Sequence, residues 1–194
     1  MSLRIYGNRP LKTLPGGQTR PTPARVREAL FNIWQGKMTG CRWLDLCAGS
    51  GAMGAEALCR GAVRAVGIDR AGKACGIIRH NWQQVTGANQ TFQVLRGDVV
   101  RQLATLSGKE QFDRIYFDPP YDSDLYPPVL EIISRSILDA RETDSLPLLA
   151  PDGELAVEHR PQQWGIESVP GLVLCRQKTY GNTALRFYVS SFSR

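Results

Sequence analysis

The sequence has 194 residues, enough for one ordinary α/β domain with a short extension and too few for two full-sized domains. Hydrophobic residues make up 42% of the chain and charged residues 22%, which is typical of a soluble globular protein and not of a disordered or fibrous one. There is no apolar run of membrane-spanning length, and the N-terminus lacks the apolar stretch of a signal peptide. We therefore expect a cytoplasmic protein with no membrane partner.

The net charge of +6 is concentrated near the N-terminus. The first forty residues contain one acid, Glu28, and seven basic residues: Arg4, Arg9, Lys12, Arg20, Arg25, Arg27 and Lys37. This segment accounts for the whole net charge, and the rest of the chain is neutral overall. A basic extension ahead of a neutral domain is expected of a segment that binds nucleic-acid phosphates, although a solvated tail without a partner would carry the same charge.

The cysteines and histidines form no metal-binding pattern. The five cysteines are odd in number and include no C-x-x-C pair, and the two histidines stand alone in the sequence. Isolated residues of these types are far more often structural than ligands. We expect reduced thiols and no metal.

The N-terminal extension comes first among the predicted elements. Residues 1–21 mix arginines with glycine and proline, which predicts a loop or a short hairpin. Thr22 and Pro23 are typical of an N-cap and a first helical residue. Apolar residues at helical spacing from Val26 to Trp34 then predict a docking helix, with Arg25 and Arg27 flanking its apolar face. We take residues 1–40 as a basic extension and residues 41–194 as the main domain.

From residue 42 onward, short apolar strands alternate with helical segments, which predicts βαβ units and a mostly parallel sheet. The predicted strands cover residues 42–47, 63–68, 91–96 and 112–118. Helices fill the gaps, and one of them places Cys75, Ile78, Trp82 and Val85 on a single face.

The sequence from residue 126 onward predicts an end to the parallel strand–helix alternation. A helix is expected over residues 126–138, a surface loop over 141–151 and a strand over 153–158. The runs LVLCRQK and ALRFYVS, joined by TYGNT, predict a β-hairpin. The fold class is therefore α/β, a doubly wound and mostly parallel sheet closed by an antiparallel hairpin.

A glycine loop follows the first predicted strand of the sheet. In LDLCAGSGAMG, the residues Gly49, Gly51 and Gly54 match the G-x-G-x-x-G pattern of dinucleotide-binding folds. Glycine lets a backbone turn sharply and approach a ligand closely. A tight turn without a ligand would satisfy the same pattern, so this signal alone is weak.

Three aspartates strengthen the prediction of a nucleoside cofactor. Asp69 ends the next strand, where an acid can accept the two ribose hydroxyls. Asp98 ends the third strand and could accept from an adenine amino group, or equally cap the following helix. Asp45 lies within the first strand, where an unpaired acid is costly, so we expect it to face the ligand or to bond the glycine turn.

The fourth strand runs into Asp118-Pro119-Pro120-Tyr121. Two prolines make this turn rigid and leave carbonyl oxygens available as acceptors. An amino group on a base ring is a poor nucleophile, and accepting both of its N–H bonds, with Asp118 and the carbonyl of Pro119, would aim its lone pair at a methyl donor. Such positioning is worth about 7–11 kcal/mol in well-oriented systems. Tyr121 would stack on the base, which adds about 1–3 kcal/mol.

These motifs resemble those of the RsmD family of bacterial 16S rRNA guanine-N2 methyltransferases. The shared features span nearly the whole chain: the basic start RIYGNRPLKTLPG, the RPT element with RVREALFNIW, the glycine loop, DPPY and YGNTALRFY. The sequence departs from the family pattern at Asn8, where a glycine is expected, and in a short linker before Arg20.

The resemblance implies a seven-stranded class I methyltransferase fold, S-adenosylmethionine as the cofactor and methylation of a guanine N2 in 16S rRNA or the small ribosomal subunit, by a monomer. The implied catalytic residues are Asp118, Pro119, Pro120 and Tyr121. The candidate cofactor-binding residues are Asp45, Ala48, Gly49, Ser50, Gly51, Gly54, Asp69, Arg70, Asp98 and Val99. The candidate RNA-binding residues are Arg4, Arg9, Lys12, Arg20, Thr22 and Arg25.

Four alternatives remain at this point. An N6-adenine methyltransferase would use the same DPPY turn, but on DNA it usually adds a recognition segment for which this chain has no room. A protein-glutamine methyltransferase would carry Asn in place of Asp118. An NAD-dependent oxidoreductase would share the glycines and Asp69 but would need a catalytic pair. An RNA-binding module without activity would explain the basic extension and leave DPPY unused.

Overall fold

A computed structural model describes residues 3–14, 23–166 and 168–192 of the chain. The chain divides into two compact units, Met1–Asp98 and Val99–Arg194. The strands and helices of the first unit are β1 (Leu3–Ile5), β2 (Arg9–Leu11), α1 (Ala24–Ile33), β3 (Arg42–Leu46), α2 (Ala52–Cys59), β4 (Arg64–Asp69), α3 (Gly72–Val85) and β5 (Thr91–Arg96). Those of the second unit are α4 (Val99–Leu106), β6 (Phe112–Phe117), α5 (Tyr126–Glu142), β7 (Leu149–His159), β8 (Leu172–Tyr180) and β9 (Thr183–Ser190).

Seven strands form one sheet, in the order β5-β4-β3-β6-β7-β9-β8. In the first unit, β3, β4 and β5 pair in parallel, so that Leu44 lies opposite Val66 and Val66 opposite Gln93. Strands β3 and β4 are almost wholly buried, as expected of parallel strands covered on both faces. The four predicted strands agree with β3 to β6 within one residue at each end, and the predicted α/β class with a mostly parallel sheet is confirmed.

The second unit ends in antiparallel strands, as predicted. Strand β6 pairs in parallel with β7, whereas β7 pairs antiparallel with β9, and β9 with β8. The turn between β8 and β9 contains Gly181 at φ 62°, a left-handed conformation that favours glycine. The C-terminal hairpin is thus confirmed.

Two predicted elements of the second unit were wrong in extent. Helix α5 continues four residues beyond the predicted end at Leu138, and β7 begins at Leu149, so much of the expected loop over 141–151 is helix or strand. Pro151 and Gly153 look like a turn in the sequence, but the segment pairs with β6, where the amide of Phe112 donates to the carbonyl of Leu148 at 2.8 Å. Tertiary pairing therefore overrides the local signal.

The N-terminal segment packs within the first unit. Strands β1 and β2 form a two-stranded antiparallel sheet joined by a 3-10 turn at Tyr6–Asn8. Helix α1 begins at Ala24 with Pro23 as its cap, one residue later than predicted, and Thr22 lies outside the described residues. The separate extension over residues 1–40 stays a prediction. No helix in the described part of the chain is long and apolar enough to cross a membrane.

Candidate functional site

The glycine loop connects β3 to α2 through a strained backbone. Cys47, Gly49 and Gly51 all have positive φ, at 63°, 57° and 72°. The conformation costs glycine little, but Cys47 is a bulkier residue held in the same region. Strain of this kind is concentrated at functional sites, so Cys47 marks the loop although the sequence pattern did not single it out.

The three glycines of the motif serve two different purposes. A Cβ atom on Gly49 would meet nothing within 4 Å, so open space lies over this residue. A Cβ on Gly51 would instead lie 2.7 Å from the indole nitrogen of Trp82, and one on Gly54 would lie 2.2 Å from a ring carbon of Trp82. Only Gly49 therefore leaves room for a ligand, whereas Gly51 and Gly54 allow the indole to pack.

Asp69, at the end of β4, holds the loop from the neighbouring strand. One carboxylate oxygen accepts the amide of Gly49 at 2.8 Å, and the other accepts the amide of Ala71 at 2.8 Å. Each carboxylate oxygen has a second acceptor position, so the group can still receive two hydroxyl donors. The side chain is half-buried. The acceptor oxygens of Asp69 and the space over Gly49 thus fit the ribose of a nucleoside cofactor.

Asp45 lies beneath the loop and is only 2% exposed. Its carboxylate accepts the amide of Gly54 at 3.0 Å, which fulfils the prediction that it bonds the glycine turn. Burial raises the pKa of Asp45 to about 8, and the hydrogen bond from Gly54 opposes this shift. The group therefore supports the loop from inside the core.

The remaining cofactor candidates differ in exposure. Ala48 and Ser50 are half-buried in the loop, while Arg70 is exposed just beyond Asp69. Asp98 is exposed and immediately precedes α4, and Val99 is the buried first residue of that helix. Hydrogen bonds bring Asp45, Gly49, Gly54 and Asp69 together around the loop. The cofactor-binding roles of all ten candidate residues stay predictions.

Asn81 on α3 is a further loop contact that sequence reasoning missed. It is fully buried, and its amide nitrogen donates to the carbonyls of Ser50 and Lys12, both at 2.9 Å. Its amide oxygen accepts the backbone amide of Lys12 at 2.9 Å. One side chain thus joins the glycine loop to the end of the N-terminal hairpin.

The DPPY turn follows β6 in the second unit. Pro119 is buried, Pro120 is exposed, and Asp118 is half-buried between them and the strand. The carbonyl of Pro120 accepts the amide of Ser123 at 3.0 Å, so it is already used within the turn. Of the two proline carbonyls expected to accept, that of Pro120 thus makes one hydrogen bond within the turn, and that of Pro119 stays the candidate acceptor for an amine.

Tyr121 is held by its hydroxyl group. This hydroxyl donates to Glu158 at 2.9 Å and lies 3.1 Å from the hydroxyl of Thr183. Glu158 is 1% exposed and also accepts the hydroxyl of Tyr116. Burial, and secondarily the charge of Glu158, raises the pKa of Tyr121, which keeps its hydroxyl protonated. Sequence reasoning missed this clamp because its members lie far apart in the chain.

One face of the Tyr121 ring has a cationic neighbour. The guanidinium of Arg160 lies 5.1 Å from the ring centroid and 3.4 Å from the carboxylate of Asp122. Arginine over an aromatic face is a favourable contact. Stacking of Tyr121 on a base stays a prediction.

Four of the six predicted RNA-binding residues are described, and all four side chains are exposed: Arg4, Arg9, Lys12 and Arg25. Arg20 and Thr22 lie outside the described residues. Arg27, expected to flank the apolar face of α1, is 3% exposed and pairs with Glu56 at 2.9 Å. Within residues 3–14, 23–166 and 168–192, no cluster of three or more His, Cys, Asp or Glu side chains could hold a metal ion.

Comparison with known proteins assigns the family. A family model described as conserved hypothetical protein 95 matches residues 3–189. The protein YlbH of Bacillus subtilis (strain 168), provisionally named an rRNA methyltransferase, is 35% identical over 181 residues, covering 93% of this chain and 92% of that protein. Ribosomal RNA small subunit methyltransferase D of Escherichia coli (strain K12) is 28% identical over 193 residues, covering 96% of this chain and 89% of the relative.

Solved structures show the same fold. The structure of yhhF from Escherichia coli, provisionally named a methyltransferase, superposes with a TM-score of 0.81 at 26% identity and covers 99% of both chains. A structure from Pyrococcus horikoshii, provisionally named an RNA methyltransferase, has a TM-score of 0.67 at 16% identity, covers 93% of this chain and 92% of its own, and shares the fold. The chain therefore belongs to the RsmD family of methyltransferases.

Proposed function

We propose that this protein transfers a methyl group from S-adenosylmethionine to the exocyclic N2 of a guanine in 16S rRNA. The observation that carries the proposal is the DPPY turn with its anchored tyrosine, in a chain whose family includes ribosomal RNA small subunit methyltransferase D. The relatives' names support rRNA as the substrate class. The choice of guanine N2 rests on the family resemblance.

The glycine loop supplies a site for the donor. We assign the ribose hydroxyls of S-adenosylmethionine to Asp69 and the space over Gly49 to the close approach of the cofactor. When bound, the donor supplies an electrophilic methyl group on a sulfonium. Asp45 and Asn81 fix the loop backbone, because Asp45 accepts the amide of Gly54 and Asn81 donates to the carbonyl of Ser50. A rigid loop places the methyl group without further reorganisation.

The DPPY turn supplies the site for the amine. The carboxylate of Asp118 accepts one N–H of the exocyclic amine, and the carbonyl of Pro119 accepts the other, which directs the nitrogen lone pair toward the methyl carbon. The bound donor would supply the methyl group to the nitrogen, and Asp118 would take the proton that the nitrogen loses and release it to solvent. Tyr121 holds the base plane, and its hydroxyl clamp on Glu158 fixes the ring. The target base must leave its stack to reach these groups.

Labelled methyl transfer tests the proposal. The protein is incubated with radiolabelled S-adenosylmethionine and ribosomal RNA or small-subunit particles, and the labelled nucleoside is identified after digestion. We expect N2-methylguanosine, and we expect Asp118→Ala to lose at least about 100-fold in rate, because positioning supplies most of the acceleration. Asp124→Ala, which removes an exposed carboxylate six residues away, is the matched control and should retain the wild-type rate.

The products also separate the alternatives. Labelled N6-methyladenosine in the RNA would replace the proposal with adenine methylation, and transfer to duplex DNA would contradict an rRNA substrate. Binding of NAD without binding of S-adenosylmethionine would favour an oxidoreductase. RNA binding without methyl transfer to any substrate would favour an RNA-binding module without enzymatic activity.

A further inference from the structure

Tyr6, at the turn of the N-terminal hairpin, is a large apolar side chain in an unusual setting. It is 53% exposed, the highest value among the large hydrophobic side chains that the structure describes. The hairpin around it presents Arg4, Arg9 and Lys12 to solvent, and there is no acid before Glu28 in the sequence. An exposed aromatic ring among cations is the combination that proteins use to bind single-stranded nucleic acid.

The ring of Tyr6 is backed by an arginine. The guanidinium of Arg60 lies 4.6 Å from the Tyr6 ring centroid and 5.0 Å from that of Phe31, which is fully buried. Arg60 therefore forms a layer between the exposed ring and the core of the first unit. A cation on one face of an aromatic ring is attractive and leaves the other face for a further partner.

Arg60 itself is fixed by a buried carboxylate. Its guanidinium donates to one oxygen of Glu56 at 2.8 and 3.1 Å, and Glu56 is 2% exposed. The other oxygen of Glu56 pairs with Arg27 at 2.9 Å, and Arg27 donates to the backbone carbonyl of Arg4 at 2.6 Å. This chain of contacts returns to the hairpin two residues before Tyr6. Arg60 thus supports the Tyr6 ring directly, and Arg27 holds the hairpin backbone that carries Tyr6.

The turn that carries Tyr6 is also well defined. Gly7 and Asn8 follow it at φ 70° and 59°, and Arg4 donates to the backbone carbonyl of Asn8 at 2.9 Å. Left-handed residues fix the direction of a tight turn. A surface aromatic on such a turn has already lost most of its conformational freedom, so stacking a base on it costs little additional entropy.

We propose that Tyr6 is a stacking platform for an unpaired base of the RNA substrate, with the neighbouring cations binding the flanking phosphates. This inference rests on the proposed function for its choice of RNA. The base must be unpaired, because a base within a duplex has both faces covered by its neighbours. The contact supplies substrate affinity outside the methyl-transfer site.

Equilibrium binding separates stacking from charge. The probe is a short single-stranded oligoribonucleotide of mixed sequence, titrated at several salt concentrations, and the same strand annealed to its complement. We expect Tyr6→Ala to weaken single-strand binding about 5- to 100-fold with an unchanged salt slope, and Tyr6→Trp to retain it. Arg9→Gln should instead lower the salt slope by about one. Binding of the duplex should be the same for Tyr6→Ala and the wild type.

Phe192→Ala is the matched control. Phe192 is 39% exposed and has the guanidinium of Arg141 at 4.1 Å from its ring centroid, so it repeats the arginine-backed aromatic without the basic hairpin. We expect it to bind the single strand as the wild type does. Because Tyr6 is largely exposed, Tyr6→Ala should unfold at the wild-type temperature.

Several outcomes would overturn the inference. These are equal single-strand affinity for Tyr6→Ala and Phe192→Ala, an equal loss on single strand and duplex, or no RNA binding by the wild type. A loss confined to ribosomal particles, with free RNA bound normally, would indicate a protein contact and would also overturn it. A wild-type protein that methylates rRNA while Tyr6→Ala binds RNA normally refutes this inference alone, whereas the absence of methyl transfer refutes the proposed function.

Discussion

At the scale of single residues, the buried carboxyl of Asp45 makes the stability of the protein depend on pH. Its pKa is about 8 in the folded protein and near 3.8 for an ordinary carboxyl, so between these values the folded protein binds more protons than the unfolded chain. The free energy of unfolding therefore falls as the pH rises from about 4 to about 8. We expect Asp45→Asn to remove this part of the pH dependence.

Urea unfolding of the wild type and Asp45→Asn across this pH range measures the effect. The two free energies of unfolding should converge at the acid end and separate toward pH 8, where only the wild type carries the penalty of a buried acid. Parallel curves would mean that Asp45 ionises normally in the folded protein.

Tyr121 and Glu158 form the second residue-scale prediction. Tyr121→Phe keeps the ring and removes the hydroxyl that donates to the buried carboxylate. We expect a loss of about 1–3 kcal/mol in stability, since Glu158 loses a donor, and a fall in kcat larger than any change in KM, since the ring is no longer fixed. Steady-state kinetics and thermal unfolding provide the measurements.

Tyr180→Phe provides the comparison for the clamp. Tyr180 is a half-buried tyrosine near the end of β8, so the same hydroxyl is removed elsewhere in the second unit. If both variants changed kcat equally, the hydroxyl clamp would have no specific role in positioning.

At the scale of elements, Trp82 on α3 determines how closely α2 approaches. A Cβ on Gly54 would lie 2.2 Å from its ring, and one on Gly67 of β4 would lie 2.7 Å from it. We expect Gly54→Ala to destabilise the protein by about 1–3 kcal/mol, because an overpacked core must shift. Gly76→Ala on α3 meets nothing within 4 Å and should be neutral or stabilising.

Thermal unfolding of Gly54→Ala and Gly76→Ala measures the two changes in stability. The pair Gly54→Ala with Trp82→Phe should recover part of the lost stability, because the smaller ring vacates space for the methyl group. Independent, additive effects of the two substitutions would show that the residues do not compete for this space.

The sequence predicted the strands of the sheet better than it predicted the tertiary contacts between side chains. Strands β3 to β6 are short runs rich in apolar residues, and an acid ends β4 or follows within two residues of β5 and β6, so their bounds could be predicted to within one residue. The burial of Arg27 was not predicted, because a charged residue signals a surface, whereas its partner Glu56 lies 29 residues away. The clamp on Tyr121 depends on Glu158 and Thr183, whose approach is set by the pairing of β7 with β9. Such contacts are tertiary and leave no local pattern.

At the scale of the whole molecule, the asymmetry of charge predicts how RNA binding responds to salt. Arg9 and Lys12 are exposed on the hairpin, and phosphate contacts release counterions on binding. We expect Arg9→Gln with Lys12→Gln to weaken RNA binding and to lower the salt slope by about two, while the affinity for S-adenosylmethionine stays unchanged.

The control removes the same charge from the second unit. Lys109→Gln with Lys178→Gln replaces two exposed lysines outside the basic segment. Filter binding at several salt concentrations compares the two double variants. An equal fall in slope for both would mean that net charge, and not the hairpin, determines RNA affinity.

The single amide group of Asn81 has a thermodynamic consequence. It bonds the hairpin at Lys12 and the glycine loop at Ser50, so neither backbone can shift without disturbing the other. Two ligands that act on these segments must then change each other's affinity by the same factor. Saturation with the methyl donor should alter RNA affinity, RNA should alter donor affinity by the same factor, and Asn81→Ala should bring both factors to one. Under the proposed function, the Asn81 bridge would thus make substrate recognition and cofactor loading one linked equilibrium.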